Sequence, residues 1–130
     1  MPYRLKIAES EVTGKSKFVN AKGNTECVEF IRQATDAPHT IEWRKGTKVS
    51  EAQAGTTLRG TAIATFDAQG RYPTDSLGKH AAIYLSHDDL RILVYDQWNA
   101  QGQVLQRSIW FKRPKGTKRS NDADMFFVIK

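Results

Sequence analysis

The sequence predicts an α+β domain, one short amphipathic helix near the N-terminus followed by an antiparallel sheet of about five strands. Three observations carry that expectation. At 130 residues the chain has the length of one domain and can bury a hydrophobic core without covalent staples. Cys27, Phe30, Ile31 and Ala34 recur at i, i+3, i+4 and i+7, which is one face of a helix. From Gly60 onward, runs rich in β-branched and aromatic residues alternate with turn signals. A helix followed by a succession of strands is the α+β order.

Residues 1–20 are polar and weakly patterned, and read as an arm, extended or briefly helical, packed on the domain. "NAKGN" marks a turn. Asn24 or Thr25 is placed to cap the helix, Glu26 and Glu29 suit its positive end, and Pro38 closes it. The next twenty residues, "IEWRKGTKVSEAQAGTTLRG", show little periodicity. The expected strands are "TAIATF", "HAAIYLS", "RILVYDQW", "VLQRSIWF" and "MFFVIK", with turns at "DAQGRYP", "HDD" and "NAQGQ". Residues 111–124, "FKRPKGTKRSNDAD", read as a mobile basic loop. No repeat or linker interrupts the chain, so 1–130 is expected to be a single domain and a monomer.

The net charge of +6 favours anionic partners. The basic run lacks the interleaved aromatic rings on which bases stack, so no nucleic acid is expected. One cysteine cannot form an intramolecular disulfide, and Cys27, His39, His80 and His87 do not fall at zinc-ligand spacing. No metal or cofactor is expected. The first residues lack an apolar stretch of signal-peptide length, and nothing approaches a membrane span. The expectation is cytoplasmic synthesis without a Sec signal and no membrane insertion. Action outside the cell would then require a specialised export route.

The chemistry gathers on Cys27. A helix N-terminus favours thiolate over thiol, and the thiolate is the nucleophile. A nearby imidazole must take its proton. His80 opens a predicted strand just after Gly78, whose freedom allows a tight approach. With a hairpin turn centred near His87 and Asp88, His80 faces Tyr95 or Asp96, and Asp96 becomes the carboxylate that orients the ring. Gln97 leaves the opposite face of that strand and is expected to matter little. The amide of Cys27 is placed to stabilise an oxyanion, with Asn24 and Asn20 as candidates for a second donor. Trp43 and Arg44 in the irregular connection, and Trp98 on the face of Asp96, are candidates for the substrate cleft. Glu26, beside the cysteine, would oppose thiolate formation unless its side chain points outward.

"GNTECVEFIRQ", "GTAIATF", "GKHAAIYL" and "VYDQW" together resemble the CHAP branch of the papain-like cysteine amidohydrolases, close to the NlpC-type cell-wall endopeptidases. The likeness covers about Gly23 to Ile109 and is nearest to a small bacterial CHAP-like family. It implies a papain-like fold and a triad of helix-borne cysteine, strand-borne histidine and acidic residue, falling on Cys27, His80 and Asp96. It also implies cleavage of amide bonds in peptidoglycan peptides. A cell-wall amidase without a Sec signal must be released by lysis or delivered by a specialised secretion system, so the expectation is an antibacterial effector toxin with a cognate immunity protein as partner. Two rivals come from other classes: a non-catalytic binding module on the same fold, and a basic nuclease toxin in which Cys27 is incidental.

Overall fold

The structure, a computed structural model, describes residues 2–15, 17–53 and 56–130. Met1 and Ser16 of the expected N-terminal arm lie outside the described residues. The rest of the arm contains helix α1 (Glu9–Lys15) and an antiparallel bridge from Arg4 to Thr61. Helix α2 (Cys27–Ala34) follows, and six strands complete the fold: β1 (Lys45–Lys48), β2 (Ala62–Thr65), β3 (Ala81–His87), β4 (Arg91–Asp96), β5 (Leu105–Trp110) and β6 (Phe126–Ile129). They form one antiparallel sheet in the order β1-β6-β2-β3-β4-β5.

The sheet has six strands where five were expected. The sixth is β1, "KGTK", which has no alternation of apolar and polar residues. Its pairing with β6 rests on backbone hydrogen bonds, which periodicity does not report.

The central strands are apolar on both faces because both are covered. On one face Ala62, Ala64 and Ala81 have small side chains, over which Phe30, Ile31 and Ala34 of α2 pack with Trp43, Phe18 and Val12. The other face carries Ile63, Ala82, Tyr84, Ile92, Val94, Ile109 and Phe126, closed by Val49 and Ala123 from short 3-10 turns. That accounts for "AAIYL" reading as a continuous apolar run. Glu9 ties α1 to the sheet by a two-pronged ion pair with Arg59 and a hydrogen bond from Tyr95.

The hairpin register differs from expectation. β3 runs on through His87, so the turn lies between His87 and Arg91, with the Asp88 carboxylate accepting from the amides of Leu90 and Arg91. Ile83 pairs with Tyr95 and Tyr84 with Val94, and a bulge falls between Tyr84 and Ser86. His80 therefore precedes β3 instead of facing Asp96 squarely. The basic loop is also more tightly held than its composition suggested. Arg119 forms a bidentate ion pair with Asp75, its amide bonds the carbonyl of Leu77, and Ala123 is buried.

Candidate active site

Cys27 is the first residue of α2. Glu26, not Asn24 or Thr25, takes the capping position, in extended conformation and without a side-chain cap. The helix start therefore has no side-chain cap, and the amide of Glu29 bonds back to the carbonyl of Glu26 (3.1 Å). What fixes the entry is Gln97, fully buried at the end of β4. Its Nε2 donates to the carbonyl of Glu26 (3.0 Å) and to that of Phe18 (2.7 Å), and its Oε1 accepts from the amide of Phe18 (3.0 Å). Thr25 Oγ1 adds a bond to the carbonyl of Trp98.

His80 is held through its backbone. Its amide donates to Thr65 Oγ1 (3.1 Å), and that hydroxyl donates to the carbonyl of Gly78 (3.0 Å). Gly78 sits at φ +107°, where a Cβ would lie 2.7 Å from the amide nitrogens of Arg119 and Ser120. Only glycine fits this path, and it presses the segment before β3 against the basic loop.

The imidazole lies between two anions-in-waiting. Its Nε2 is 2.8 Å from Asp96 Oδ2, so Nδ1 is the ring nitrogen left to face the thiol. Asp96 is fully buried, and the same Oδ2 accepts from Nε and Nη2 of Arg107, each at 2.8 Å. The guanidinium of Arg107 lies over Trp98, 5.1 Å from the ring, and Trp98 meets His80 edge-on at 6.0 Å. Burial works against a charged His80, but hydrogen bonds to Asp96 and Cys27 outweigh it and raise the imidazolium pKa to about 9. Burial likewise opposes a Cys27 thiolate. The hydrogen bond and charge of His80, the hydroxyl of Tyr72 and the amide of Ala81 overcome it and leave the thiol below its ordinary value. Glu26 is exposed, so its carboxylate is solvated beside the thiol.

Cys27, His80, Tyr72, Trp98 and Asn99 line a cleft of about 560 Å³, with Glu26, Asp67, Arg71 and Lys79 around it. Tyr72 Oη is 3.5 Å from Cys27 Sγ, and its ring packs edge-on against Trp43. Four of the residues proposed from sequence are elsewhere. Asn20 Oδ1 closes the turn before the helix by accepting from the amides of Lys22 and Asn24, so Asn20 and Asn24 serve that turn and not the cleft. Trp43 is fully buried, with its indole bonded to the carbonyl of Pro38. Arg44 is exposed and turns back to the carbonyls of Ile41 and Trp43. Tyr72, Thr65 and Arg107 are residues that sequence reasoning passed over, and Gln97, expected to matter little, instead holds the helix entry. Among the described residues, no group of three His, Cys, Asp or Glu side chains could hold a metal.

A helix-leading cysteine and a histidine line one cleft at the end of the antiparallel sheet of this α+β domain, with a carboxylate buried behind the histidine. The chain belongs to the domesticated amidase effector 2 family, whose model matches residues 5–129. Membership makes it a hydrolase of amide bonds. It is 34% identical over 114 residues to a type VI secretion amidase effector 2 protein of Salmonella typhi, covering 80% of this chain and 84% of that one. It also resembles the solved structure of a type 6 secretion amidase effector 2 (Tae2). The TM-score is 0.75 and the identity 27%, over 93% of this chain and 91% of the other.

Proposed function

We propose that the chain is a peptidoglycan amidase acting as an antibacterial effector, with Cys27 as nucleophile, His80 as base and then acid, and Asp96 as the residue that orients the ring. The observation that carries this reading is the single imidazole held by Asp96 at 2.8 Å on one side and interacting with the thiol of Cys27 on the other. The sequence order of helix cysteine, histidine and strand carboxylate also supports the papain-like assignment.

In the mechanism, His80 takes the thiol proton and the pair rests as thiolate and imidazolium. The sulfur attacks the carbonyl carbon of a wall-peptide amide, and the electron pair of the C=O bond moves onto oxygen. That oxyanion lies near the Cys27 amide and the Tyr72 hydroxyl, the donors nearest the sulfur in this reading. Collapse expels the amine, which takes the proton from His80, and leaves a thioester on Cys27. Water, deprotonated by His80, attacks the thioester to release the acid and restore the thiol. Asp96 holds Nε2 throughout and supports the imidazolium without itself taking the proton.

The likeness to type VI amidase effectors supports export by such a system into a target periplasm and a cognate immunity protein as partner. Purified peptidoglycan digested with the wild type and with Cys27→Ala, with products read by mass spectrometry, tests the reading. New amines and carboxyls are expected with the wild type only, together with loss of activity on iodoacetamide treatment. Amide cleavage that persists in a folded Cys27→Ala variant refutes the mechanism.

A further inference from the structure

The cleft over Cys27 is not the only cavity that reaches His80. A second one, of about 320 Å³, is lined by Lys79, His80, Trp98, Arg107, Ser120 and Asn121. Lys79, His80 and Trp98 line both cavities, so the two adjoin at these residues. The two halves differ in charge. The main cleft mixes Glu26 and Asp67 with Arg71 and Lys79, whereas no acidic side chain lines the second cavity. Asp96, the nearest carboxylate behind its wall, is fully buried and its Oδ2 already receives three donors from His80 and Arg107.

The two cations of that cavity are held differently. Arg107 is fixed by Asp96, by the carbonyl of Ser120 and by the ring of Trp98. Lys79 is exposed and forms no ion pair among the described residues. Its backbone is anchored between Gly78 and His80, both bonded to Thr65, so its flexible side chain is rooted beside the site. An exposed lysine without an ion-pair partner and a fixed guanidinium lining one cavity, with Ser120 in the same wall, suit a carboxylate. Peptidoglycan stem peptides carry free carboxylates on their glutamyl and diamino-acid residues.

We propose that the second cavity is a carboxylate subsite, in which Lys79 grips a free carboxylate of the same peptide whose scissile amide lies at Cys27. Lys79 is then a specificity-determining residue that takes no part in the bond-making steps. This rests on the amidase reading above.

The test uses synthetic stem peptides in which each carboxylate is replaced in turn by carboxamide. kcat and KM are measured for the wild type, Lys79→Gln and Lys79→Arg. Amidation at one position should raise the wild-type KM by about two- to fivefold, the range of a solvent-exposed ion pair, with kcat little changed. Added salt should shrink that difference. Lys79→Gln should cleave the parent and that amidated peptide alike and at an unaltered kcat, while Lys79→Arg restores the preference. A wild type that cleaves every peptide with one KM overturns the subsite and leaves the amidase reading standing, as does a Lys79→Gln variant that keeps the preference. A wild type that cleaves none of them overturns both.

Discussion

Gln97→Ala is the substitution for which sequence and structure give opposite answers. Read from the strand alternation, its side chain leaves the face away from Asp96 and should be dispensable. In the structure that face is the one on which α2 packs, and the side chain is fully buried with three hydrogen bonds to main-chain groups of Phe18 and Glu26. At about 1 kcal/mol each, those bonds contribute about 3 kcal/mol, and the space left by the side chain adds about 1 kcal/mol. The sum is a large fraction of the roughly 5–15 kcal/mol that holds such a domain together. The urea midpoint should therefore fall by about 2 M. At temperatures where the variant is still folded, kcat should drop by about tenfold with little change in KM, because the carbonyl of Glu26 no longer fixes where Cys27 enters the cleft. Gln97→Glu keeps one acceptor but buries a carboxyl, so it should lose further stability as pH rises through the range where that carboxyl ionises. Urea titration of both variants, with kcat and KM on a wall peptide, gives the readout. A Gln97→Ala protein with the wild-type midpoint and wild-type kcat would refute the claim that this side chain locates the nucleophile.

Two further outcomes follow from the same site. The plot of kcat/KM against pH should be a bell whose acid limb lies below the ordinary thiol value of 9.0, since Cys27 must be ionised, and whose alkaline limb lies near pH 9, where His80 loses the proton the leaving amine needs. Asp96→Asn should move that alkaline limb downward, and a limb that stays in place would show that Asp96 does not support the imidazolium. Arg107→Ala removes two of the three donors on Asp96 Oδ2 and should cost about 2–3 kcal/mol in a denaturant titration, discounted from the cost of breaking a wholly buried pair because Arg107 is 22% exposed. It should also move the alkaline limb upward, since the carboxylate charge then falls to His80 alone. Unchanged stability and an unchanged limb would remove Arg107 from the site.

The parts of the fold that could be read from sequence are those carried by side-chain periodicity. Helix α2 was visible because Phe30, Ile31 and Ala34 repeat on one face, and they are buried. Five strands were visible as apolar runs between turn residues. β1 was not, because "KGTK" is exposed or half-buried along its length and is defined by its partner β6, far away in the chain. The same distinction runs through the site. The pairing of His80 with Asp96 was expected, although by a register that the later position of the hairpin turn displaces. The ring reaches Asp96 all the same, because position 80 lies just outside β3 and its side chain is aimed by Thr65 and Gly78 instead of by the ladder. Arg107 and Tyr72 carried no local signal. Each meets the site only through tertiary packing.

The geometry makes one dipeptide responsible for both halves of the site. Successive side chains of a strand leave opposite faces of a sheet. At the end of β4, Asp96 leaves on the side of Val94 and Phe126 and takes the histidine, while Gln97 leaves on the side of Tyr95 and α2 and takes the backbone just before the cysteine. The proposed base and nucleophile come from segments 53 positions apart in the chain, yet each is tied to one of two adjacent residues. Their relative position is then set by the pleat of a single strand end, among the least deformable distances a protein has. The two ties should also fail differently. Loss of the carboxylate changes which protonation states are populated and so moves the pH profile, whereas loss of the amide changes where the helix begins and so lowers stability and kcat at every pH. A double variant, Asp96→Asn with Gln97→Ala, should combine a downward-shifted alkaline limb with a urea midpoint below that of either single variant, and its departure from additivity measures how far these adjacent residues are coupled.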